Sequence, residues 1–309
     1  MTGLAQSLDD YLSLRRGLGY KLEDAGRLLR SFVAFAERAG AQTITTELAL
    51  RWASQPADTS SIWLAHRLSA VRGFARYLCT IDPTTEVPPA EVLSAPGYRP
   101  APPYRYSDAD IAALLAAARR LAPPLRAATF EALLGLLAVT GMRIGEAMRL
   151  DRDDIDWGEG VLVVRGSKFG RSRELVCHHS TLEALRRYHA QRDELCPRPA
   201  AASFFVTTRG ARLTHASVYL AFHELVVGAG LQHASQGRPP RVHDLRHSFA
   251  VRTLLGWYRE GADVQALLPL LSTYMGHIRP ASTFWYLSAS PELMALAAQR
   301  LDDATGVTP

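Results

Sequence analysis

The sequence predicts a mainly α protein with a small antiparallel β-sheet, in two domains. An N-terminal helical bundle precedes a larger, mostly helical second domain. Three observations carry this. Apolar residues recur at helical spacing over the first 80 or so residues, without strand alternation. Six prolines fall between residues 88 and 103. Two β-branched runs, 161–164 and 174–177, flank a turn rich in Gly, Ser and Arg. Proline at that density stops helices and favours extended chain, so 98–104 reads as a linker between a first domain, 1–97, and a second, 105–309.

The elements follow in order. "SLDDYLSLRRGLG" offers Ser7 as an N-cap and repeats Leu8, Tyr11 and Leu12 at helical spacing before a glycine. "LEDAGRLLRSFVAFAERAG" sets Leu28, Leu29, Phe32, Val33 and Phe35 on or near one face and stops at Gly40; "TTELALRWAS" and "SIWLAHRLSAVRGFARYLCT" are two further amphipathic segments. After the linker, Ser107 caps a helix with acids in its first turn. "LRAATFEALLGLLAVTGMRIGEAMRL" reads as a long apolar helix, a break at Thr140-Gly141 and a second helix. The hairpin comes next, and helical patterns resume from about residue 180 to the end.

At 309 residues and 48% hydrophobic content, each domain can bury a core. The formal charge is +5, and the first 97 residues are neutral, so the basic excess lies in residues 98–309. That permits a polyanionic partner without requiring one. Cys79, Cys177 and Cys196 have no metal-binding spacing and fit a reducing compartment. Residues 1–20 lack the apolar run of a signal peptide, and no stretch approaches 18 uncharged apolar residues. The expected location is cytoplasmic, with no membrane partner.

Of 35 Lys and Arg, only Lys21 and Lys168 are lysines. Lys168 sits in the hairpin turn, one of four segments that gather reactive groups. The others are "TGMRIGE" (140–146), "HDLRHSFA" (243–250) and "GHIRPASTFWY" (276–286). Singly, each has a plain reading: Arg143 caps a turn or pairs with Glu146, Lys168 is a solvated charge, and Tyr286 packs among aromatics. His243 and His247 have the i, i+4 spacing of a zinc pair, but Asp244 stands where a metalloprotease needs Glu, and Arg246 would crowd the cation. Taken together the segments fit phosphate chemistry. Arginine forks neutralise non-bridging oxygens, histidines donate or move protons, and tyrosine forms a reversible phosphate ester.

The ordered set Arg143, Lys168, His243, Arg246, His277 and Tyr286 resembles the catalytic residues of the tyrosine recombinases, the phage integrase family. "TGMRIGEAMRLDRDDID", with Glu146 in a supporting acidic position, resembles the first arginine box, and "GSKFGRSRELV" the lysine hairpin. "HDLRHSFA" and "YMGHIRPASTFWY" resemble the two later boxes, with "MGH" where "LGH" is commonest. The resemblance covers roughly residues 105–300, and the first domain matches as a type, the core-binding domain that helps clamp DNA.

The resemblance implies a recombinase that cleaves and rejoins double-stranded DNA at specific sites through a 3′-phosphotyrosine, with no metal, ATP or cofactor. Tyr286 would attack the phosphodiester. Arg143 and Arg246 would hold its oxygens and His277 would donate to one. His243 would assist proton handling, and Lys168 would protonate the departing 5′-oxygen. Such enzymes act as tetramers on paired sites, and the tail "SPELMALAAQRLDD" resembles a last helix that docks onto a neighbouring protomer; its plain reading is a helix on its own domain. Rival readings are a type IB topoisomerase, a catalytically silent DNA-binding regulator and a metallohydrolase at "HDLRH".

Overall fold

The computed structural model describes residues 3–55, 59–90, 92–93, 103–166, 172–232, 239–277, 283 and 291–305. The chain divides into two compact units, Met1–Pro100 and Ala101–Pro309.

In the first unit, α1 (Leu4–Gly17), α2 (Glu23–Arg38), α3 (Thr46–Ala53) and α4 (Ser61–Leu78) turn their apolar faces onto a core that includes Leu12, Leu29, Phe32, Trp52 and Phe74. The hydroxyls of Thr45 and Ser60 accept from the Leu48 and Trp63 amides and cap α3 and α4. Ser7 does not cap α1. The helix begins a turn earlier, and Ser7 lies buried inside it with its amide donating to Gly3 O at 3.1 Å. Leu4 extends the stripe of Leu8, Tyr11 and Leu12 by one turn, and burying it moves the start back.

The second unit opens on buried Tyr104 and Tyr106. The Ser107 hydroxyl then accepts from the Asp110 amide at 3.1 Å, and the Asp110 carboxylate from the Ser107 amide at 2.9 Å, a reciprocal cap that starts α5 (Asp108–Arg119). Next come α6 (Pro124–Thr140) and α7 (Ile144–Arg149). Helix α6 carries buried residues round most of its surface, Leu133, Leu134, Leu136 and Leu137 among them, because α5, α8 (His179–Leu195) and α10 (Val242–Arg259) all pack on it. It ends at Gly141, whose φ of 60° is left-handed and where a Cβ would lie 2.3 Å from a Phe249 ring carbon.

The sheet is antiparallel, β1 (Ile155–Asp156), β2 (Val161–Val164) and β3 (Arg173–Val176), in that order, with β2 and β3 paired from Val161↔Val176 to Val164↔Arg173. The expected hairpin is there, and β1 adds a short third strand. Leu162, Val164 and Leu175 face the core, following the alternation of a half-buried strand.

Residues 196–214 are not helical as the pattern suggests. Pro197 and Pro199 stop the chain after α8, and isolated bridges tie Ser203 to Asp151 and Val206 to Arg212, burying Phe204 and Phe205. Among the described residues, α9 (His215–Gly228), α11 (Val264–Met275) and α12 (Pro291–Thr305) join α10 in this unit. Helix α12 packs on α10 of its own unit. Leu293 is buried with Leu254, Leu271 and Met275, and the Arg300 guanidinium donates to Tyr258 O and Ala262 O, both at 2.9 Å, at the C-terminal end of α10. Among the described residues, no helix is long and apolar enough to cross a membrane.

Candidate active site

Three consecutive carbonyls at the C-terminal end of α11 each accept from a different arginine. Tyr274 O accepts from Arg173 Nε at 2.9 Å, Met275 O from Arg246 Nη2 at 2.6 Å and Gly276 O from Arg143 Nη2 at 2.9 Å. A helix leaves its last carbonyls without intrahelical donors, and here guanidinium groups from β3, α10 and the residue preceding α7 supply them. The earlier carbonyls are met by the backbone itself: His277 N–H donates to Ser272 O and Gly276 N–H to Thr273 O, both at 2.9 Å. Gly276 has φ 67°, the left-handed conformation that ends the helix and sends His277 back toward the arginines.

Arg143 and Glu146 do more than cap a turn. The Glu146 carboxylate accepts from the Arg143 amide and from Arg143 Nη1, each at 2.9 Å. The same two oxygens take a bidentate pair from Arg173, at 2.8 and 3.1 Å. Glu146 is 3% exposed. Burial alone would raise its carboxyl, but the hydrogen bonds and charge of Arg173, then of Arg143, outweigh that and bring it down to about 2.

Arg246, buried on α10, bridges the two helix breaks, reaching Gly141 O with Nη1 at 2.7 Å while Nη2 meets Met275 O. Nη2 also lies 2.9 Å from His277 Nε2. A guanidinium has no acceptor, so Nε2 accepts, the ring proton is on Nδ1, and Nδ1 donates to Thr283 Oγ1 at 2.7 Å. Burial and the charges of Arg246, Arg143 and Arg173 push His277 down to about 4, so the ring is neutral near pH 7. His243 is also lowered, first by burial and then by Arg246, with Asp244 opposing. Its ring meets that of His247 edge-on at 5.0 Å, and it lines a largely apolar groove of about 750 Å³ together with residues that include His215, Tyr219, Phe222 and Pro240. Among the described residues, no three His, Cys, Asp or Glu gather so as to hold a metal ion.

The structure thus brings Arg143, Glu146, Arg246 and His277 into one cluster, with His243 one helical turn from Arg246 on α10. Lys168 and Tyr286 lie outside the described residues. Arg173 and Thr283 were not singled out from the sequence. Arg173 carries a signal: on β3 it shares a face with buried Leu175, two residues on, so the alternation already turns it inward. Thr283 has no comparable signal.

The fold and this cluster define a class, and comparison with known proteins agrees. The model of the phage integrase family matches residues 105–292. A protein of Sinorhizobium fredii named as an integrase/recombinase is 43% identical over 310 residues, covering 98% of each chain. The tyrosine recombinase XerC of Azotobacter vinelandii is 34% identical over 74% of this chain and 69% of its own. Among solved structures, the Tn1549 transposon integrase in complex with transposon right end DNA superposes with a TM-score of 0.68 at 16% identity, covering 98% of this chain and 99% of that one. The chain belongs to the phage integrase family and is a tyrosine-type site-specific recombinase.

Proposed function

We propose that this enzyme cleaves and rejoins double-stranded DNA at specific sites through a covalent 3′-phosphotyrosine formed by Tyr286, without ATP, metal or other cofactor. The observation that carries this reading is the attachment of Arg143 and Arg246 to adjacent carbonyls, Gly276 O and Met275 O. Two guanidinium groups held side by side suit the two non-bridging oxygens of one phosphodiester.

Around them, His243, neutral near pH 7 by its lowered pKa, takes the phenol proton of Tyr286. Lys168 gives a proton to the 5′-oxygen as it leaves. His277 donates to a phosphate oxygen once its proton moves from Nδ1 to Nε2 or the ring gains a second one. The attack forms the tyrosine O–P bond and breaks the P–O5′ bond; a 5′-hydroxyl from the second strand reverses both, so the bond energy is retained. The acting form is a tetramer on paired sites, monomeric or dimeric off DNA, in the cytoplasm and on the nucleoid when bound.

The test is to express the full chain, recover DNA covalently attached to it, and rebuild that DNA as a nicked duplex. The wild-type protein traps it without added divalent metal, and Tyr286→Phe does not. An adduct with Tyr286→Phe would overturn the nucleophile assignment, and a requirement for divalent metal would overturn the mechanism.

A further inference from the structure

We propose that Arg173 is a positioning residue for cleavage, acting through Glu146 to fix Arg143 and through Tyr274 O to fix the turn that carries Gly276 and His277. The inference rests on the recombinase reading above and adds to it a residue in direct contact with none of the reacting atoms.

Arg173 lies five residues beyond Lys168 in the sequence, at the start of β3. Three of its donors are committed inside the cluster, two to Glu146 and one to Tyr274 O. Its side chain is 11% exposed and that of Glu146 2%. The carboxylate is shared: the oxygens that Arg173 grips bidentately are those that receive Arg143 Nη1 and the Arg143 amide. Without Arg173, Glu146 is free to rotate onto Arg143 alone, and the fork of Arg143 loses its fixed orientation.

The Gly276 turn is set in the same way. A Cβ on Gly276 would lie 2.8 Å from Arg173 Nη1 and 2.9 Å from Cζ, so the guanidinium packs flat beneath the turn. The Gly276 carbonyl is the acceptor for Arg143, and the next residue is His277. Arg173 therefore sets, from below, the height of the groups proposed to meet the phosphate. Neutral replacement of a purely structural ion pair would keep the fold and leave cleavage unchanged. Here the same replacement is expected to free Arg143 and slow cleavage.

The experiment uses the full chain and the nicked duplex rebuilt from recovered covalent DNA, with Arg173→Met, Glu146→Gln and the double variant compared for adduct formation and for binding of the uncleaved duplex. Because Arg173→Met alone leaves a buried carboxylate short of partners, the double variant guards against simple unfolding. Arg173→Met is expected to cleave at least about 10-fold slower with duplex affinity within about threefold, the pattern of an interaction used in the transition state. The double variant should be about as slow as the slower single, because both changes cut one chain of contacts. On a duplex with a methylphosphonate at the scissile position, which has no anionic charge for Arg143 to meet, the ratio of wild-type to Arg173→Met rates should shrink to within about threefold. Wild-type rates in Arg173→Met or in the double variant, multiplying defects, or an undiminished ratio on the neutral phosphorus would each overturn the proposal. Tyr286→Phe, run in parallel, keeps the two readings apart: an adduct there sinks the recombinase mechanism, whatever Arg173 does.

Discussion

Arg143 Nη2 donates to the carbonyl of Gly276 at 2.9 Å, joining the start of α7 to the end of α11 across 133 residues of chain. The bond leaves Arg143 with one amino group on Glu146 and the other on Gly276, so the plane of its fork is set from both sides. Lysine keeps the charge but cannot span both acceptors. Arg143→Lys is therefore expected to slow formation of the covalent adduct about 100-fold, in the range of losing one transition-state donor, with little change in DNA affinity. Gel quantitation of adduct against time checks it; a loss confined to affinity would contradict it.

Gly141→Ala should destabilise the second unit by about 2 kcal/mol or more, from left-handed strain together with the overlap on Phe249. Urea unfolding measures this. Because Gly141 O also receives Arg246, loss of adduct should accompany the lowered midpoint. A midpoint equal to wild type would show that Phe249 yields freely.

Acid should weaken the fold in two windows. His277 stands at about 4 in the fold against an ordinary 6.5, so between those values the unfolded chain holds more protons, and stability is lost as pH falls from 6.5 to about 4. Glu146 stands at about 2 against 4.5, and the stability it contributes is lost as pH falls from 4.5 to about 2. His243 and His189 are lowered as His277 is, so His277→Gln should reduce, not abolish, the slope of urea midpoint against pH in the upper window. An unchanged slope would remove His277 as a contributor.

Lys168→Arg should bind DNA normally and cleave slowly, because a guanidinium with pKa above about 12 is a poor proton donor to a leaving alkoxide. A 5′-thio leaving group needs no proton and should restore the rate. If it does not, Lys168 returns to the plain reading of a solvated charge on a hairpin turn.

Much of this was legible along the chain because the signals are local. The cap at Ser107, the break at Gly141 and the β2–β3 pairing each depend on a few neighbouring residues. Ser7 misled because burial of Leu4, a tertiary effect, moved the helix start. The stretch after α8 misled because its apolar residues pack through isolated bridges, which leave no periodicity. In the cluster, the pairing of Arg143 with Glu146 could be read from a spacing of three. Arg173 reaches the same carboxylate from 27 residues away, a distance at which residue type says nothing about contact.

The three carbonyls at the end of α11, with Gly141 O at the end of α6, also set the charge of the cluster. Each helix C-terminus brings roughly half a negative charge to the arginines. Arg143, Arg173 and Arg246 thus face one carboxylate and two such helix ends, leaving about one positive charge uncompensated. The ends of α6 and α11 thus lower the net charge of the three guanidinium groups with the same carbonyls that hold them in place, so position and charge in the cluster are set by one group of backbone atoms.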